Sequence, residues 1–361
     1  MCGRNSGTWA PLRSIAQVHL YVGTFLAASA YVGIFAIFHG GYGPAGAWGG
    51  QDENYVAAAM SAALPFSYFG LSATRRFFVR ILLLALMVTT LAATVIGLSR
   101  GGFLGIACGG LFCFLYSPRK LLATAVATVG IFAVVAFAPA TYWNEVRSIT
   151  DTKEGTADHR LELWKIATRA YLDNPVLGVA PGNFRWRIGD YETQEQIERN
   201  GRSFAGSAIV HSTYFEVLSE TGTVGAACFL AMVGLTFRDL RREVRRCNEV
   251  LRRRANRLSL ETRQRLEWAR AYSLSFQGGL LGYLVCSAFL STTYFSTIWV
   301  MCAASVALRW IVNEELARAL RPRLANAPTG ERVPERASGP RDPASAPPPR
   351  LSELLGDRSS R

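Results

Sequence analysis

Arg100 is the first residue in the chain whose type and setting could do chemistry. It stands in Leu98-Ser99-Arg100-Gly101-Gly102, at the end of an apolar stretch, and its small neighbours let another group approach closely. A planar fork of donors suits phosphate. The same residue also fits a plainer role, snorkelling to lipid headgroups and capping a helix. Arg160, in His159-Arg160-Leu161-Glu162-Leu163-Trp164, lies near the start of a helical pattern, where a cation opposes the helix dipole. It calls for an anionic partner, either a substrate or its neighbours Asp158 and Glu162. Arg185 and Arg187 alternate with aromatics after the turn residues Gly178, Pro181 and Gly182. They read as an acceptor- or phosphate-binding edge, or as an interfacial anchor.

His211 comes just before another apolar block. An imidazole titrating near pH 6.5 is the natural general base at neutral pH, although a lone His also serves as a polar interface residue. Glu216 and Glu220 follow, four apart on one helix face. Carboxylates inside a membrane span are costly and face a cavity or a partner. If the helix begins at headgroup depth, they are interfacial. Asp52, Glu53 and Asn54 open a further apolar block and add acceptors. There is no P-loop, GxSxG elbow or HExxH motif. The four His are scattered, and the seven Cys show no metal-ligand spacing. No metal or cofactor is expected, and the cysteines read as free thiols.

The elements that must position these residues are membrane helices. Half of the 361 residues are hydrophobic and 18% are charged, against about 25% for a soluble domain. The mean hydropathy is +0.16. An all-α, polytopic transmembrane bundle is expected. Eight stretches approach the roughly 20 apolar residues that a bilayer core needs: 14–38, 55–72, 78–98, 102–116, 119–140, 213–237, 271–290 and 294–311. The fourth is short and Gly-rich.

Orientation follows from Lys and Arg. The Arg-dense segment 238–270 should be cytoplasmic. One even-numbered topology then places Arg119-Lys120, Arg75, Arg76, Arg80, Arg4, Arg13 and the Arg-rich tail on the same side, with both termini cytoplasmic. The net charge of +13 is thereby topological, and no nucleic-acid partner is expected. The chain divides into five spans over 1–140, a large external loop over 141–212, three spans over 213–320 with the basic loop 238–270, and a disordered Pro/Ala/Ser/Arg tail over 321–361. Within the loop, Leu161, Trp164, Ala167 and Tyr171 recur at helical spacing in a segment that Asp158 could cap and Asn174-Pro175 ends. A second helix is expected over Asp190–Asn200, stopped by Gly201.

These motifs, in this order, resemble the superfamily of O-antigen ligases and Wzy-type O-antigen polymerases. The resemblance rests on Ser99-Arg100-Gly101, on Arg160, Trp164, Asn174-Pro175, Gly178 and Gly182-Asn183-Phe184, on His211-Ser212 through Glu220-Thr221-Gly222 to Gly225, and on Asp52-Glu53-Asn54 with Pro65. It implies a metal-independent glycosyltransferase of the bacterial inner membrane. Such an enzyme moves a glycan from undecaprenyl pyrophosphate, at the periplasmic face, to a hydroxyl of lipid A–core, a growing polysaccharide or a protein. It further implies Arg100 and Arg160 on the leaving pyrophosphate, His211 on the acceptor hydroxyl and Glu220 in support. Arg185, Arg187, Asp52 and Glu53 are further candidates for contacting substrate. Members usually have ten to twelve spans. The shortfall here falls before residue 40, as in a short variant or a truncated reading frame. Two other functions fit the sequence: a transporter or flippase for an anionic lipid-linked substrate, or a non-catalytic scaffold of a polysaccharide-export complex.

Overall fold

The computed structural model describes residues 12, 14–46, 52–117, 119–137, 140, 142–143, 155–201, 203–206 and 208–320. Cys2, Arg4, Arg13, the start of the expected external loop at 144–154 and the tail 321–361 lie outside the described residues. Every regular element among them is a helix: α1 (Ile15–Phe38), α2 (Glu53–Ala73), α3 (Phe77–Ile96), α4 (Arg100–Tyr116), α5 (Lys120–Phe137), α6 (Gly155–Asp173), α7 (Phe184–Tyr191), α8 (Gln194–Asn200), α9 (Thr213–Arg253), α10 (Leu260–Ser287) and α11 (Ser296–Leu320), with a 3₁₀ turn at Ala255–Arg257.

Each of the eight apolar stretches is helical, but they are not equivalent. Five helices, α1, α2, α3, α9 and α11, are long and apolar enough to cross a membrane. Helices α4 and α5 are shorter. Helix α10 opens with Glu261, Arg263, Arg265, Glu267 and Arg270 and continues through a stretch containing Ser273, Ser275 and Gln277. Its polar residues are tolerated because every residue from 271 to 280 is buried by neighbouring helices, where no lipid reaches them. Their side chains bond within the protein: Ser273 to the Ala269 carbonyl at 3.0 Å, and Gln277 to the Ser273 carbonyl at 3.0 Å.

Helices α2 and α10 form the centre, and small residues set how closely they approach. Pro65 lacks an N–H, so the Ser61 carbonyl loses its ordinary helical donor. Gly282 and Gly109 press against that region, and Gly278 sits on the Pro65 ring. A side-chain carbon on Gly105 of α4 would lie 2.8 Å from the Gly282 carbonyl and would also meet the Cys286 sulfur. Thus α4, the Gly-rich helix, is a wedge between the two central helices. Phe66, Phe276, Leu280 and Met301 fill the core around them.

The basic segment 238–270 is a helical hairpin rather than an irregular loop. It contains no Gly or Pro, and Arg is a good helix former. Leu240, Val244, Cys247 and Val250 form a buried stripe along α9, while Arg241, Arg242 and Arg245 stay exposed. Pairs one turn apart reinforce it, Arg253 with Glu249 at 3.2 Å and Arg265 with Glu261 at 2.6 Å.

Residues 155–210 form a small subdomain with its own core of Leu163, Ile166, Ala170, Phe184, Ile188 and Phe204. The buried stripe of α6 is therefore 163/166/167/170, rotated from the 161/164/167/171 stripe that the sequence suggests. Leu161 is exposed, because Trp164 and Tyr171 turn toward α9 instead. Asp158 lies inside the first turn of α6 rather than before it. The expected helix over 190–200 is two helices, since Thr193 caps α8 in a reciprocal box with Gln196. The six described cysteines are free.

The packing of α4 yields a paired prediction. Gly105→Ala should destabilise the full chain in detergent by about 1–3 kcal/mol, because the added carbon meets backbone that cannot yield. Gly110→Ala, which faces open space, should leave the melting midpoint unchanged or slightly raised. Thermal unfolding of both variants checks this.

Candidate functional site

Six chain segments converge at one end of the bundle. They are the turn after α1, the start of α2, the end of α3 with the start of α4, the first turns of α6, the start of α9, and the turn joining α10 to α11. Gly41 packs on Gly97, and Gly97 in turn lies against Glu53. This close approach needs glycine at 41, which also holds a positive φ of 96°.

A short hydrogen-bond chain fixes Arg100 there. Ser99 caps α4 by accepting the Gly102 N–H at 3.1 Å. Its own hydroxyl donates to Asn54 Oδ1 at 2.8 Å. Asn54 donates its backbone N–H and its side-chain amide to Asp52 Oδ1, at 2.7 and 2.9 Å. The starts of α2 and α4 are thereby tied together, and the Arg100 backbone is held beside Asp52 and Glu53.

Arg160 arrives from the subdomain. Trp164, one turn further along α6, donates its indole N–H to the Val210 carbonyl at 3.1 Å and stacks on Phe215 with ring centres 5.1 Å apart. His211 itself has φ 53°, a left-handed conformation costly for a side chain with a Cβ. Its N–H donates to Ser291 Oγ at 3.1 Å. Thr213 follows, donating to the Leu290 carbonyl at 2.7 Å and accepting the Thr292 N–H at 2.8 Å. Tyr55 of α2 reaches the Ser291 carbonyl at 3.0 Å.

The structure thus brings Arg160 into electrostatic reach of Arg100, Asp52, Glu53 and His211, and His211 also faces His159 and Asp52. Burial lowers the pKa of Arg160, and the facing Arg100 lowers it further, while Asp52 and Glu53 oppose this. Burial likewise lowers His211 below its ordinary value, helped by the positive charge of Arg160 and by His159, with Asp52 opposing. The imidazole is therefore neutral at pH 7 and able to accept a proton. Two cations near a neutral base and two carboxylates can bind a phosphate-bearing anion and deprotonate a hydroxyl next to it. Among the described residues, no group of His, Cys, Asp or Glu is arranged to hold a metal ion.

The other candidates lie elsewhere. Arg185 donates to the Gly206 carbonyl at 3.1 Å and lies over the Trp186 ring. Arg187 pairs with Asp190 on the exposed face of α7. Glu220 is buried, and its carboxylate accepts the Gly182 N–H at 2.8 Å, the Phe184 N–H at 3.2 Å and the Tyr294 hydroxyl. It fastens the turn before α7 to the bundle. Next to it α9 breaks at Gly222, with φ 62° and ψ −163°. The freed Thr223 N–H donates to the Pro175 carbonyl at 2.8 Å, and Val179 N–H donates to the Ser219 carbonyl at 2.9 Å. Glu216, one turn earlier, accepts the Thr293 N–H at 3.4 Å.

Sequence reasoning missed the turn 291–294. Its only signal was a run of four hydroxyl residues, Ser291-Thr292-Thr293-Tyr294, between two apolar stretches.

Residues 83–230 match the family model described as O-antigen ligase. Over this segment the chain is similar to the O-antigen ligase family. The matched region contains Arg100, Arg160, His211 and Glu220, together with the whole 155–210 subdomain. No curated protein matches the chain. The match supports membrane glycan transfer of the O-antigen-ligase type in general.

The role of Glu220 can be checked directly. Glu220→Gln should speed amide exchange at Gly182 and Phe184, whose carboxylic acceptor is replaced by an amide, and leave the α2–α10 core protected. Hydrogen-exchange mass spectrometry of the full chain reads both regions.

Proposed function

We propose that the protein is an inner-membrane glycosyltransferase that moves a glycan from undecaprenyl pyrophosphate to a hydroxyl acceptor at the periplasmic face. In this reading both termini are cytoplasmic, and the subdomain with the Arg100–Arg160–His211 cluster lies outside. The observation that carries the reading is that Arg160, brought in by the subdomain, lies within electrostatic reach of both Arg100 and His211, from segments distant in sequence, at one end of the bundle.

In the reaction, the acceptor oxygen forms a bond to the sugar's anomeric carbon as the bond from that carbon to the pyrophosphate oxygen breaks. The electron pair leaves with the lipid pyrophosphate, and the acceptor proton passes to His211. Arg100 and Arg160 stabilise the charge that develops on the leaving group. Prearranged donors in a water-poor site are effective at this because they need not reorganise during the reaction. Before the donor binds, Arg100 opposes Arg160, and Arg160 adds to the burial that lowers the His211 pKa. A pyrophosphate between the arginines offsets both charge effects and makes His211 a stronger base when it is needed. Asp52 and Glu53 hold the cations in place in the empty site. Arg185 and Arg187, exposed on α7, belong to the acceptor side.

Membranes containing the full chain and a labelled undecaprenyl-pyrophosphate glycan test this. Arg100→Ala, Arg160→Ala and His211→Ala should each reduce donor consumption by about 10²–10³-fold at unchanged expression. Arg187→Ala should alter only the dependence on acceptor. Consumption that survives loss of Arg100 and Arg160 would overturn the proposal. A ladder of products identifies a polymerase, and a single transfer identifies a ligase.

The pH dependence has a definite sign. The neutral imidazole is the active form, so the rate falls as pH drops through the pKa of His211. At limiting donor, the acid limb should lie below the ordinary value of about 6.5. At saturating donor it should move upward, as the bound anion offsets Arg160. Rate profiles at both donor levels measure the shift.

A further inference from the structure

A second basic site lies at the opposite end of the bundle. Here the end of α2, the turn between α4 and α5, and the polar ends of α9 and α10 enclose a cavity of about 320 Å³. Arg75, Arg119, Arg263 and Arg270 line it with one carboxylate, Glu267. Arg263 donates to Glu267 at 3.0 Å, so that carboxylate is already matched. The side chains of Arg75 and Arg119 make no hydrogen bond or ion pair among the described residues. Arg270 Nε is buried without a hydrogen-bond partner. Four guanidiniums therefore surround one small space with a single carboxylate, Glu267, which is bonded to Arg263 and also faces Arg270.

A positive-inside anchor does not require this geometry. Charges that only set topology are solvated and spread, as Arg241, Arg242 and Arg245 are along the exposed face of α9. Those in the cavity converge from three separate segments, and one is partly withdrawn from water. The floor is apolar, made by Phe69, Leu251 and Leu274. A ligand with a phosphate head and a hydrocarbon tail meets both requirements, whereas a free phosphate would leave the floor unmatched.

We propose that this cavity binds the headgroup of an anionic phospholipid, with a preference for a headgroup bearing two phosphates. The phosphates engage Arg75, Arg119 and Arg270, and an acyl chain follows the apolar wall beside α2. The site is separate from the Arg100–Arg160–His211 cluster and does not depend on the reading given to that cluster. Bound lipid would clamp the α4–α5 turn to the α9–α10 hairpin, which otherwise carry facing positive charge.

Native mass spectrometry of the full chain, released from detergent with cardiolipin, phosphatidylglycerol or phosphatidylcholine, tests this. Cardiolipin should be retained at least tenfold better than phosphatidylcholine, with phosphatidylglycerol between them. Arg119→Gln and Arg270→Gln should each reduce cardiolipin retention several-fold. Arg119 is exposed, so its substitution reports on binding even if Arg270→Gln perturbs folding. Arg242→Gln, outside the cavity, should have no effect. Equal retention of the three lipids would overturn the proposal, as would an equal loss with Arg242→Gln. Displacement of cardiolipin by equimolar inorganic pyrophosphate would overturn the assignment to a lipid.

Discussion

Two guanidinium groups held close in a half-buried site repel each other, and the architecture around Arg100 and Arg160 keeps them there despite that. Neither residue could hold the arrangement from its own helix. Arg100 is fixed by the Ser99–Asn54–Asp52 hydrogen-bond chain, which joins the first residues of α4 to those of α2. Arg160 is fixed because Trp164 is bonded to the backbone next to His211. Asp52 and Glu53 supply the compensating charge. In the proposed reading, an incoming dianion relieves the remaining repulsion between the two guanidiniums.

The rigidity this requires comes from the middle of the bundle. Helices α2 and α10 are buried along most of their length, and glycines let α4 wedge between them at near-backbone contact. Packing of that kind tolerates little sliding, since dense interiors transmit displacement rather than absorb it. The subdomain is attached differently, by directed hydrogen bonds together with local packing: Val179 with Ser219, Thr223 with Pro175, Glu220 with the 182–184 backbone, and Trp164 stacked on Phe215. A firmly packed half thus carries Arg100, and a half held by polar bonds carries Arg160.

The helices themselves were legible in the sequence because lipid imposes a simple demand, long apolar runs, on any segment that crosses it. Arg100 and His211 were legible because they sit at the ends of such runs, where polar residues stand out. The phase of α6 was not legible. Trp164 and Tyr171 are apolar enough to look like subdomain core, yet they serve the contact with α9. Nor could sequence reveal that Arg185 and Arg187 turn to the exposed face while Arg160 turns inward, since all three lie in similar amphipathic surroundings. Convergence of Arg160 with Arg100 depends on single long-range bonds such as His211 with Ser291, which leave no periodic trace. The two helical arms of the basic hairpin are consistent with its lack of Gly and Pro.

The left-handed backbone at His211 separates two quantities that usually move together. A residue with a Cβ is strained at φ 53°, so the fold holds this position against a local preference and glycine would sit there more comfortably. Removing the imidazole by way of glycine would then remove chemistry while relaxing the chain. In the proposed reading, a gain in thermal stability on mutation here marks a functional rather than a structural residue, and a library ranked on stability alone would select against the imidazole.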